Sequence, residues 1–116
     1  MNDVIDDLVE DALRELADRT YQRDLWLSAG PPEVSSFIEC VSRLWTDAGL
    51  GDALDQSDTV YTASIDSELR ELRKLLRRID GTRSPHEILD DPDLEQVRSS
   101  ARKLLIDLRF FGSLED

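Results

Sequence analysis

The sequence predicts an all-α domain. Three observations carry this reading. Apolar residues recur at three- and four-residue spacing through long segments. Leucines are many while aromatics make up only 6% of the chain. No stretch shows the alternating apolar pattern that a sheet strand requires. The expected architecture is a bundle of four to six helices, a single domain over residues 1–116. At this length folding buries roughly two thirds of the chain's surface, enough for one core and no second. A composition of 40% apolar and 34% charged residues fits a globular domain.

The first helix is expected from about Asp3 to Asp18. At 100° per residue, Ile5, Leu8, Val9, Ala12, Leu13 and Leu16 share one face. Asn2 or Asp3 can cap it, and acids in its first turn suit the helix dipole. Thr20–Ser28 reads as a short second helix or structured turn, placing Tyr21, Leu25 and Trp26 close together. Gly30-Pro31-Pro32 then breaks the chain.

A third helix is expected from about Pro32 to Ala48. Its stripe is Val34, Phe37, Ile38, Val41, Leu44, Trp45 and Ala48, and Gly49 stops it. Gly51–Ala63, rich in Asp, Ser and Thr, reads as a loop with a short extended piece near Val60 and Tyr61. The fourth helix is expected from Asp66 to Asp80, with Leu69, Leu72, Leu75, Leu76 and Ile79 inward and Gly81 as its end. Ser84-Pro85-His86-Glu87 is a capping box with proline at the first helical position; it opens one turn bearing Ile88 and Leu89. Asp91-Pro92 opens the last helix, expected to reach Phe111 and stop at Gly112. Its core face is Leu94, Val97, Ala101, Leu104, Leu105 and Leu108. Ile106 and Phe110 lie opposite at i, i+4 spacing, so the helix is either covered on two sides or presents an apolar patch.

Charge is the strongest functional signal. The net charge is −12, and residues 1–63 carry fourteen acids against four arginines. Such a balance argues against nucleic acid, which needs a clustered Lys/Arg footprint, and against anionic membrane surfaces. It favours a basic protein partner, attracted at an enhanced rate. No run of eighteen apolar residues suggests a membrane span. The acidic N-terminal segment is wrong for a signal peptide, and one cysteine suits a reducing compartment, so a cytoplasmic location is expected.

The acids of the first helix are ordered. Asp3, Asp6, Asp7, Glu10, Asp11, Glu15 and Asp18 fall on one side, with Arg14 among them. An amphipathic helix must put something polar outward, so a plain solvated face is an even alternative. A landing surface for a basic partner explains the density better, because like charges one turn apart cost stability. Trp26, Ile106 and Phe110 are the candidate apolar contacts of such an interface. The same stripe contains Asp6-Asp7-x-x-Glu10-Asp11, carboxylates one turn apart that could hold Mg²⁺ with a diphosphate. That chemistry needs a second acidic helix across a cavity, and Glu68 and Glu71 are the only plausible second pair.

The remaining reactive residues point away from catalysis. Arg70, Arg73, Lys74 and Arg77 form a basic face, either solvated or meeting an acidic face within the chain or across a homodimer. Cys40 reads as a buried structural thiol. His86 is the only histidine, which gives little support to zinc sites, triads or Cys–His dyads. No catalytic residue, metal site or cofactor is expected.

Three stretches together carry a resemblance: Ala12–Trp26 (ALRELADRTYQRDLW), Phe37–Leu50 (FIECVSRLWTDAGL) and Asp91–Leu105 (DPDLEQVRSSARKLL). Their order is similar to that of a family of small, acidic, all-helical proteins of actinomycetes and other bacteria. In size, charge and helicity the chain also resembles the immunity proteins that neutralise secreted bacterial nuclease toxins. The resemblance implies a non-enzymatic binding protein that occludes a basic toxin; on that reading the carboxylates of the first helix, joined by Glu33 or Asp47, would fill a groove meant for phosphates. The alternatives are a cytosolic adaptor that binds through the apolar patch, and a Mg²⁺-dependent all-helical diphosphate hydrolase.

Overall fold

Spacing of apolar residues at three and four positions produces helices throughout a computed structural model that describes residues 4–27, 36–56 and 58–115, with side chains to Gly112. Seven helices occur among the described residues, one more than the upper expectation, and no strand. They are α1 (Asp6–Ala17), α2 (Arg19–Trp26), α3 (Phe37–Ser42), α4 (Leu50–Asp55), α5 (Ala63–Arg77), α6 (Pro85–Leu89) and α7 (Pro92–Glu115). A π-helical turn, Arg43–Asp47, continues α3. Asn2, Asp3, Ser28, Gly30, Pro31, Pro32, Glu33 and Val34, which figured in the sequence reading, lie outside the described residues.

The helix starts follow capping chemistry. Asp18, Ser36 and Thr62 each accept a bond from the backbone N–H three residues on, opening α2, α3 and α5. The Ser84–Glu87 capping box forms in both directions, as its spacing predicts. α1 differs. It begins at Asp6 after Ile5, whose side chain cannot cap; instead the Ile5 N–H donates to the Ala48 carbonyl at 2.9 Å. That bond draws the start of the helix to the end of the π turn and leaves the Ile5 side chain exposed, contrary to its expected core place.

Two other boundaries move for physical reasons. Gly49 ends the α3–π segment in the left-handed region, φ 78°, as glycine there permits. α4 then starts at once, where a loop was expected, because Leu50, Ala53 and Leu54 share a buried face. Gly112 does not stop α7. Helical backbone continues through it to Glu115, and a side chain at that position would meet nothing within 4 Å. α5 ends at Arg77, with Gly81 four residues beyond its end.

α7 is the organising element: α1 and α5 make their most extensive contacts with it. Val9, Leu13 and Leu16 of α1, Leu69, Leu72 and Leu76 of α5, and Leu94, Val97, Ala101 and Leu104 of α7 belong to one buried cluster. No described helix is long and apolar enough to cross a membrane.

Buried polar groups tie the corners. Gln22 donates to the Glu15 and Leu16 carbonyls at 2.9 and 2.8 Å and accepts from Arg98 Nε at 2.8 Å. Arg98, 2% exposed, also donates to the Leu89 carbonyl at 2.9 Å and to Glu95 at 2.7 Å. Asp66 accepts from the N–H groups of Val60 and Tyr61 at 2.8 and 3.0 Å, which fixes the segment before α5 without any strand.

At the α6–α7 junction Asp91 accepts from the Asp93 N–H at 2.8 Å and pairs with Arg83. The Asp93 bond first, and Arg83 second, hold its carboxyl below the usual aspartate range. A carboxyl depressed in the folded state stabilises fully above its unfolded value, near pH 4, and loses that contribution as pH falls through its folded value. Replacing Asp91 by Asn should therefore flatten the acid limb of a Tm-against-pH profile below about pH 4. An unchanged acid limb would show that this junction does not drive acid unfolding.

Candidate functional site

The candidate site begins with how α1 is seated. Its apolar face is fully committed, since Val9, Ala12, Leu13 and Leu16 are at most 1% exposed. The opposite arc presents Asp6, Asp7, Glu10 and Asp11, and Asp18 follows the helix's last residue, all five exposed. Three of these have partners. Asp6 accepts from the Tyr61 hydroxyl at 2.9 Å, Glu10 pairs with Arg14 at 2.6 Å, and Asp18 caps α2. Asp7 and Asp11 make no hydrogen bond or ion pair among the described residues. Asp47 is exposed and immediately precedes Ala48, the acceptor of the Ile5 bond.

Tyr61 closes one end of this face. Burial first, and the Asp6 carboxylate second, push its phenol well above the ordinary range, so it stays a neutral donor. Its ring stands edge-on to Phe111 at 5.5 Å. Between α1 and the end of α7 lies a groove of about 600 Å³, lined by Asp6, Glu10 and Arg14 on one side and Leu105, Ile106 and Arg109 on the other. Ile106 and Phe110 are 57% and 65% exposed, so the apolar patch on α7 is open and one of its two residues borders the acidic face.

Two expected interface residues are corrected. Glu15 is 2% exposed and Trp26 6%, so neither belongs to an accessible surface. Glu15 stands one turn beyond Asp11 but also two turns beyond Leu8, on the flank that α2 and α3 cover. There its carboxylate accepts from Trp26 Nε1 at 2.8 Å and from Arg43 at 3.2 Å. The Trp26 ring meets Phe37 edge-on at 5.8 Å. Asp3 lies outside the described residues.

The other reactive side chains are engaged in structure. Cys40 is buried, with its sulfur 3.5 Å from the Ala12 carbonyl. Burial, then the nearby Glu15 charge, pushes its thiol far above the usual range, which keeps it unreactive. Arg70 donates to the Leu54 carbonyl at 2.9 Å, Arg73 pairs with Asp55 at 3.0 Å, and Lys74 with Glu71 at 3.0 Å. Of the basic face of α5, Arg73 thus meets acid from α4 within the chain.

Glu68 pairs with Lys103, and with Glu71 bound to Lys74 both members of the would-be second acidic pair hold cations. α1 and α5 pack against α7 rather than facing one another over a cavity. No group of three or more His, Cys, Asp or Glu among the described residues is arranged to hold a metal ion.

Comparison with protein-family models, with curated proteins and with solved structures finds no match. Function has to be read from the site alone. The buried groups that hold the site, Glu15, Gln22, Asp66 and Arg98, carry no sequence signal beyond a polar residue at the margin of an apolar stripe.

Proposed function

We propose that this chain is a non-enzymatic protein-binding domain of the immunity-protein type, acting in the cytoplasm by covering the basic groove of a nuclease-type toxin. The observation that supports this most is the exposed arc of α1. Four carboxylates share it, Asp7 and Asp11 without partners, on a helix whose other face is locked in the core. Repulsion among them is relieved when a cationic surface docks. Charge of this density speeds encounter, and adjacent apolar side chains lengthen the life of the complex.

The test is charge reversal. Asp7→Lys, Glu10→Lys and Asp11→Lys together should slow association with the captured basic partner at least tenfold and flatten its salt dependence, with the helical circular dichroism unchanged. Capture is made from host lysate, with washes at low and high salt. Unchanged association after reversal rejects the reading.

The exposure of Ile106 and Phe110 favours one second reading, an adaptor that docks through α7. It expects a partner that survives high salt and is lost on Phe110→Ala.

A further inference from the structure

A second cavity, of about 610 Å³, lies between the α3–π segment, α4 and the end of α5. Ile38, Val41 and Leu76 give it an apolar wall, and Trp45 lines it from the π turn. Such turns concentrate at functional sites because they re-aim a side chain out of the regular helical register.

The polar groups around this cavity are unequally used. Arg73 lies over the Trp45 ring at 5.8 Å and pairs with Asp55 at 3.0 Å, so these two charges cancel. Asp52 of α4 and Arg77 of α5 also line the cavity; both are exposed, and neither makes an ion pair or hydrogen bond among the described residues. The Trp45 indole Nε1 is buried and has no acceptor. Native proteins rarely leave a buried donor unsatisfied without a reason.

We infer that this cavity binds a small zwitterion with an apolar body, a free apolar amino acid or a short apolar peptide. Asp52 takes its ammonium, Arg77 its carboxylate, and Ile38, Val41 and Leu76 its apolar part. A simple anion would face Asp52, and a simple cation would face Arg77. A purely apolar molecule would desolvate both charges without pairing either. A ligand bearing both charges satisfies both, beside the Trp45 ring that lines the cavity. This site is separate from the α1 face and stands or falls independently of it.

The chain has two tryptophans, which makes the test direct. In ¹H–¹⁵N spectra the indole N–H of Trp26, bonded to Glu15, is the internal reference and that of Trp45 the reporter. The probes are L-leucine, L-leucyl-L-leucine, N-acetyl-L-leucine and L-leucinamide. The expected result is a saturable shift of the Trp45 signal with the first two, and at least tenfold weaker binding of the two blocked derivatives. Asp52→Asn and Arg77→Gln, both at exposed positions, should each weaken binding of the zwitterion at least tenfold while leaving the spectrum folded. Tighter binding of leucine identifies a free amino acid as the source, and tighter binding of dileucine a peptide. No Trp45 shift at about 10 mM probe, equal binding of the blocked derivatives, or undiminished binding by either variant overturns the inference.

Discussion

Replacing Arg98 by alanine is expected to lower the unfolding free energy by about 3–5 kcal/mol, the usual cost of removing one member of a buried charged network. The guanidinium joins three elements. It holds the Gln22 side chain of α2, the Leu89 carbonyl at the end of α6, and Glu95 one turn back on α7. Truncation strands the Gln22 oxygen away from water, at a desolvation cost of its own, and leaves the Leu89 carbonyl with only its longer bond from Arg19 at 3.4 Å. Arg98→Met, which keeps most of the aliphatic volume, should recover only the packing share. Chemical denaturation followed by circular dichroism measures both. Domains of this kind are held together by roughly 5–15 kcal/mol, so the alanine variant should melt close to physiological temperature. A loss under about 1 kcal/mol would mean that solvent reaches the guanidinium and that the network is not closed.

Glu15→Ala is expected to cost about 2–4 kcal/mol, and Asp11→Ala, one turn away on the same helix, less than about 0.5 kcal/mol. The contrast separates a buried carboxylate from an exposed one. Loss of Glu15 removes the acceptor from the buried Trp26 N–H and the countercharge from Arg43. Glu15→Gln keeps an acceptor for Trp26 and removes the charge, so it should cost less than half as much. Equal small effects at positions 11 and 15 would place Glu15 back on the solvated face.

That pair of residues also marks how far the sequence could be read. The three- and four-residue spacing of apolar positions on α1, α5 and α7 was enough to give the helices and most of their inward residues, because a stripe of leucines has only one place to go. The Ser84 capping box and the Gly49 stop were legible because each is a local bond or a local backbone conformation. Glu15 and Arg98 were not legible. Each stands at the edge of an apolar stripe, and which edge is buried depends on where a neighbouring helix crosses, a matter of tertiary placement. α4 was missed because Leu50, Ala53 and Leu54 make one turn of pattern, too short to be distinguished from a loop rich in Asp and Ser. Gly112 misled because glycine permits a stop without imposing one, and the helical backbone continues through it to Glu115. At the candidate site the carboxylates were readable residue by residue, whereas their seating through the Ile5–Ala48 bond and the Tyr61 contact to Asp6 joins positions far apart in the chain.

The placement of α7 has a consequence for biosynthesis. The helix against which α1 and α5 pack follows every other described element in the chain. During translation α1 and α5 therefore emerge before the helix that covers their leucine faces, and this part of the core cannot close until α7 has left the ribosome exit tunnel. At roughly 5–20 residues per second this leaves several seconds in which the nascent chain has no finished interior. The high negative charge of residues 1–63 is present throughout that interval, and mutual repulsion between neighbouring nascent chains then works against their clumping before α7 arrives.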